Sequence, residues 1–268
     1  MPAARFFHVD AFTSRMFTGN PTVVCLMPMD LDDGVYISIA REMNLSVTAF
    51  MGVGEAPIPL RWFTPVMETP LCGYATLAAA HLMFGSLGFE GSMVEFATTA
   101  GRLCAEKTGD EVAMVFPVNQ PQPVDAPRDV LAALGIGEWE DAQNNESNRR
   151  LLIRLGSEEE VRALRPNFAA LTDLPNPLGW RGVVVTSRGY EYDFVSRHFA
   201  PHMGINEDPV TGSTHTVLAP YWAKRLGKSK MSAYQASSRG GELIVELRED
   251  RVVLTGRCIT VAEGTLHY

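Results

Sequence analysis

Apolar residues recur along the chain at two spacings. Val35, Ile39 and Met43 stand four apart, on one face of a 3.6-residue period, and predict a helix over Asp33–Met43. Further helices are predicted over residues 128–134 and 158–164. Residues 75–84 are apolar except at Thr76 and His81, and they predict a buried helix; another is predicted over 214–225. Short runs at 95–97, 101–107 and 112–116, and again at 241–247 and 252–255, read as strands around turns. The implied unit is one helix wrapped by strands, an α+β arrangement.

That unit occurs twice. Arg61-Trp62-Phe63-Thr64-Pro65 is echoed by Arg197-His198-Phe199-Ala200-Pro201, 136 residues later, and Met67 by Met203 at the same offset. Past a three-residue insertion, Glu68, Pro70 and Gly73 match Glu207, Pro209 and Gly212 at 139. Gly101 and Leu103 then match Gly241 and Leu243, and Asp110 and Val112 match Asp250 and Val252, at 140. So small a drift over some fifty residues marks two homologous halves. The Pro-rich segment 117–127 reads as the crossing, giving half-domains 1–117 and 118–268, with the final strand free to return to the first half.

Composition narrows the function classes. With 46% hydrophobic and 20% charged residues and 17 prolines among 268 residues, the chain is an ordinary globular one. Its net charge of −8 repels a phosphate backbone, so no nucleic-acid partner is expected. The ten residues 75–84 fall short of the roughly 18–20 that span a bilayer, and the first ten residues, with Arg5 and Asp10, lack a secretory h-region. No membrane association and a cytoplasmic location are therefore expected. Cys25, Cys72, Cys104 and Cys258 are too scattered for a disulfide framework or a zinc site, and no metal is expected.

The candidate chemistry lies at the two P-x-x-G turns. Each places glycine and small residues at a helix start, where free N–H groups and the positive dipole end hold an anion; the alternative is close helix packing. Asp208, just before the second turn, reads either as a general base or as a turn initiator. Thr211 and Ser213 read as donors to a ligand oxygen or as helix caps. His81 and His215 lie inside the helices as ligand contacts or core residues, and His215 points about 200° around the helix from Ser213. Asn20, in Gly19-Asn20-Pro21, reads as a substrate-orienting amide or a turn residue.

Taken in order and spacing, Val9-Asp10-Ala11-Phe12, Gly19-Asn20-Pro21, Ala40-Arg41-Glu42-Met43-Asn44-Leu45-Ser46, Arg61-Trp62-Phe63-Thr64-Pro65, Leu71-Cys72-Gly73, Glu207-Asp208-Pro209-Val210-Thr211-Gly212-Ser213 and Arg239-Gly240-Gly241-Glu242-Leu243 make a recognisable set. The chain resembles the PhzF-like isomerases, over 6–266, and within them the phenazine biosynthesis-like domain-containing proteins. The resemblance implies the diaminopimelate-epimerase-like fold: two pseudo-symmetric half-domains, each a mixed sheet curled around a central helix, with the active site in the cleft between them, and a homodimer. It also implies proton transfer without a cofactor on a small anionic substrate. The phenazine-pathway member moves a hydrogen along the conjugated system of a dihydro-3-hydroxyanthranilate. Asn20, Gly73, Thr211, Gly212 and Ser213 fall at substrate-binding positions, and Asp208 at a catalytic one.

Two positions depart from that pattern. The family's Asn-Leu-Ser-Glu-Thr is here Asn44-Leu45-Ser46-Val47-Thr48, and its Cys-Gly-His-Ala-Thr is Cys72-Gly73-Tyr74-Ala75-Thr76, so the shuttle glutamate and its histidine are replaced by Val47 and Tyr74. Valine exchanges no proton, and an ordinary tyrosine, with a pKa near 10, is a poor base at neutral pH. Tyr74 reads as a donor to a developing enolate with Asp208 as single base, or as a ring filling the space beside Val47. Cys72 matches a catalytic thiol of diaminopimelate epimerases, but its repeat partner is Thr211, which excludes a two-thiol racemase. Two functions stay open: an isomerase-type enzyme acting on a small unsaturated carboxylic acid, or a catalytically impaired member that binds a small anion or a protein.

Overall fold

The chain opens with strand β1 (Ala3–Ala11), β2 (Asn20–Leu26), helix α1 (Asp33–Met43), β3 (Thr48–Met51), β4 (Ile58–Phe63) and β5 (Glu68–Thr69). Helix α2 (Gly73–Phe84) and the meander β6 (Met93–Thr98), β7 (Gly101–Thr108) and β8 (Glu111–Pro117) follow. The structure is a computed structural model and describes residues 1–54, 56–176 and 179–268. It divides into two compact units, 1–115 with 255–268, and 116–254.

The first unit is a mixed sheet. β1 pairs antiparallel with β2, β2 parallel with β3, β3 antiparallel with β4, and β4 parallel with β6. Helix α2 packs on β1, β2, β3 and β7. It is apolar on every side, with Tyr74 through Ala80 and then Leu82 and Met83 all buried, as a helix enclosed by its sheet must be. Helix α1 lies against β3 and β4 and buries Tyr36, Ile39 and Ala40 in the core, with Val35, Ile37 and Met43 packed at its edge. Asp32 caps its start, accepting from the Gly34 N–H at 2.8 Å, and Asn44 ends it in the left-handed conformation at φ 51°.

The second unit holds β9 (Gln122–Pro123), α3 (Arg128–Leu134), β10 (Asp141–Asn145), β11 (Arg150–Arg154), α4 (Glu158–Ala163), α5 (Phe168–Asp173), β12 (Gly182–Arg188) and β13 (Phe194–Phe199). Helix α6 (Gly212–Leu226), β14 (Lys230–Gln235), β15 (Gly241–Arg248) and β16 (Arg251–Gly256) complete it. The sheet is again mixed: β11 runs parallel to β12, β12 antiparallel to β13, β13 parallel to β14 and β14 antiparallel to β15. Helix α6 packs on β14 and β15. A second core joins α3, α4 and α5 to the sheet through residues such as Leu134, Val161, Leu171, Val185 and Phe199. Pro220 inside α6 removes the N–H that would reach the Thr216 carbonyl, and the Asn119 N–H takes that carbonyl at 3.2 Å. The last strand, β17 (Cys258–His267), belongs to the first unit and pairs antiparallel with β1.

The repeat survives as side-chain contacts. In each unit the repeated arginine grips the repeated glutamate with two bonds: Arg61 to Glu68, both 2.8 Å, and Arg197 to Glu207 at 2.7 and 2.9 Å. Each guanidinium also covers the phenylalanine ring two residues on, Phe63 at 4.8 Å and Phe199 at 4.9 Å. Several local elements differ from the sequence-based expectation, among them α2, which starts at Gly73 rather than 75. Helix α6 starts at Gly212 rather than 214: Thr211 is still extended, and Gly212 and Ser213 are already helical. The unforeseen α5 is one short helix started by Asn167, which accepts from the Ala170 N–H at 3.0 Å.

Candidate active site

The residues at the start of α6 form one hydrogen-bonded unit. Asp208 is 7% exposed, and its N–H donates to the His198 carbonyl of β13 at 3.0 Å. The Thr211 hydroxyl donates to the Asp208 carboxylate. Gln235, from the end of β14, closes the turn: its Oε1 accepts from the Thr211 N–H at 2.9 Å and its Nε2 donates to the Asp208 carbonyl at 2.7 Å. Thr211 stands at the N-cap position of α6, yet no side chain caps the helix. The capping alternative for Thr211 is thereby corrected: its hydroxyl oxygen accepts from Gln235 Nε2 at 3.2 Å rather than from a helix N–H, and its proton goes to the Asp208 carboxylate. The first N–H groups of α6 keep a positive end next to Gly212 and the half-buried Ser213.

Beneath that turn lies a buried polar layer. Asn148 donates from Nδ2 to the Ser213 carbonyl at 2.6 Å, and its own N–H is held by the Asn145 side chain at 2.7 Å. Arg150, in β11, is 9% exposed; its Nη1 donates to the Asn148 and Arg149 carbonyls at 2.9 and 3.3 Å, and its Nη2 stands 3.5 Å from Ser213 Oγ. His198 meets the Thr214 hydroxyl at 2.6 Å, and its ring fills the space above Gly182, where a Cβ would stand 2.2 Å from its Nε2. His215 donates from Nδ1 to the Thr211 carbonyl at 2.9 Å, so its Nε2 is unprotonated; that atom is buried with no hydrogen-bond partner among the described residues. Burial lowers both imidazoles, His215 to about 4 and His198 well below its usual value, so both are neutral at pH 7.

Sequence reasoning missed Asn148 and Arg150. Strand register supplies the signal: Val23 aligns with Thr48 and Thr48 with Phe63, just as Leu151 aligns with Val183 and Val183 with Phe199. Asn148 is therefore the counterpart of Asn20, and Arg150 that of Thr22.

The other predicted site residues lie in the first unit. Asn20 opens β2 and is 1% exposed. Thr22 donates to the Val47 carbonyl at 2.9 Å, which ties the segment before β3 to β2. Cys72 holds the N-cap position of α2 without a side-chain cap bond, Gly73 is its first residue, and Tyr74 is 8% exposed, as is Val47. His81 faces Thr260 at 3.3 Å, and burial lowers its pKa. All four cysteines are free thiols.

Fold and site together define an α+β protein of two repeated halves, each with a helix start at a P-x-x-G turn. Residues 9–264 match the family of phenazine biosynthesis-like proteins, and the chain belongs to that family. It is 46% identical to an uncharacterized isomerase of Pseudomonas aeruginosa, over 97% of this chain and 98% of that one. It is 41% identical to phenazine biosynthesis-like domain-containing protein 1 of Mus musculus, over 97% and 98% of the two chains. The crystal structure of a PhzF family protein of Enterococcus faecalis superposes with a TM-score of 0.94 at 38% identity, covering all of both chains.

Proposed function

We propose that this protein is an isomerase that moves a proton within a small unsaturated carboxylic acid, with Asp208 as its base. One observation carries the reading: Asp208 is a buried acid whose backbone is held by Gln235 and the His198 carbonyl and whose carboxylate takes a bond from Thr211, just before the start of a 15-residue helix. Such fixation holds a base at the geometry proton transfer requires. Asp208 takes a proton from carbon, the C–H electron pair moves into the conjugated system, and the resulting acid returns the proton to another carbon. Ser213 and the N–H groups of α6 stabilise the negative charge that develops on the substrate. Tyr74 is assigned on chemical grounds as a hydroxyl donor to an enolate oxygen. Neither side chain asks for a metal or cofactor. Relatives named as isomerases support the reading.

A second reading has its own support. Val47 brings no proton carrier to a position where the resembled family has a glutamate. On that reading the same residues bind a small anion without turnover.

One experiment separates the two: incubation in D₂O with a panel of amino-substituted cyclohexadiene and other unsaturated carboxylic acids, with product and deuterium followed by mass spectrometry. Turnover that falls by about 10²–10⁴ in Asp208→Asn supports the isomerase. No product or exchange in the wild type, with activity appearing in Val47→Glu, Tyr74→His, supports the binding protein.

A further inference from the structure

Comparison of the two repeats isolates one group that the proposed chemistry leaves unused. Where the first unit has Thr22, a buried neutral hydroxyl, the second has Arg150, a buried guanidinium. Taking a cation out of water is costly unless an anion meets it. The partners of Arg150 are weak for that purpose. Its Nη1 is committed to two carbonyls and, among the described residues, its buried Nε has no hydrogen-bond partner and its Nη2 has one long contact, 3.5 Å, to Ser213 Oγ. Asp208 acts on it through charge, but burial outweighs that help and pulls the guanidinium down to about 10, where it stays protonated at pH 7. Both nearby imidazoles are neutral. The charge of Arg150 is therefore under-compensated by the protein, and its uncommitted end points at the first turn of α6, whose N–H groups also favour an anion.

We propose that Arg150 is an anion-binding residue, receiving the carboxylate of the ligand at Nη2 beside Ser213. The assignment rests on the reading of α6 as a ligand site and names what distinguishes its ligand: a carboxylate, rather than a neutral amide or ester of the same shape. It also resolves an electrostatic conflict. A carboxylate ligand next to the base Asp208 brings two negative charges together, and the guanidinium lies where it offsets both. A residue that served only the turn at residues 148–150 would need donors for two carbonyls and no charge.

The test measures binding, so it does not depend on catalysis. Calorimetry with benzoate, anthranilate and cyclohexene-1-carboxylate, each against its carboxamide, should give the wild type at least a tenfold preference for the acid. Arg150→Met should abolish the preference, Arg150→Lys should restore part of it, and Asp208→Asn should retain or strengthen carboxylate binding while losing turnover. In the wild type the Arg150 Nε–H resonance should shift on titration with the acid and stay in place with the amide, a readout that survives any folding defect of the variants. Equal affinity for acid and amide, an unmoved Nε–H signal, or unaltered preference in a folded Arg150→Met variant overturns the assignment. Intact carboxylate selectivity with no turnover on any acid overturns the isomerase reading alone.

Discussion

His215 shows how much a single buried side chain contributes. Its Nδ1–H is held by the Thr211 carbonyl, its Nε2 has no partner among the described residues, and burial brings it down to about 4. An unfolded histidine binds a proton near pH 6.5, so the folded state binds fewer protons between that pH and about 4. Stability is full above pH 6.5, declines as the pH falls through that window, and levels off below about 4. The loss from this one residue should reach roughly 2 kcal/mol by pH 5. His198 acts in the same direction. Urea unfolding at pH 7.5 and pH 5 checks this: the acid-induced loss should shrink in His215→Gln, and an unchanged loss would remove His215 from the account.

The strand that carries each repeated arginine shows why homologous elements need not contribute equally. Arg61 bonds Glu68 and the exposed Asp33, with its side chain 20% exposed. Arg197 bonds Glu207, is 10% exposed, and also donates from Nη1 to the Val161 and Leu164 carbonyls at 3.2 and 2.9 Å, holding the end of α4 onto β13. Removing Arg197 strands two buried carbonyls and the partly buried Glu207 carboxylate, while removing Arg61 leaves Glu68 and the exposed Asp33, which water reaches. Arg197→Gln should cost about 3 kcal/mol and Arg61→Gln about 1, measured by urea denaturation. Equal costs would mean that the α4 carbonyls gain nothing from Arg197. The pairing of Arg197 with Glu207 follows the sequence repeat, but its reach to α4 does not: the crossover between β11 and β12 is built from the two short helices α4 and α5 where the first unit has the single helix α1, which Arg61 meets only at the exposed Asp33.

For the molecule as a whole, the chain's return matters most. The last strand, β17, runs along β1 from Ala3 opposite His267 to Ala11 opposite Cys258, so the first unit is completed only by the final residues. A chain ending at Arg257 leaves β1 with β2 as its antiparallel neighbour. Hydrogen exchange on that truncated chain should show β1 and β2 losing protection by orders of magnitude, while β12 and β13 keep theirs. Equal loss in both sets would show that the two units unfold together.

The division of labour between chain and fold follows from the range of the forces involved. Helices α1 and α3, the apolar α2, the meander β6 to β8 and the doubled architecture depend on local periodicity and on a repeat running along the chain, so they can be read one residue after another. Asp208, Thr211, Gly212 and Ser213 stand together in one motif and could be found the same way. Asn148 and Arg150 could not. They lie more than sixty residues before Ser213, and only the pairing of β11 with β12 and β12 with β13 carries them beneath α6. The protonation of His198 and His215 was equally hidden, because it depends on how deeply a ring is buried rather than on its neighbours in the chain. Propensity and pattern act over a few residues and leave their trace in sequence order. Burial and charge compensation act through space, and they take their values only once the sheet has closed over the helix.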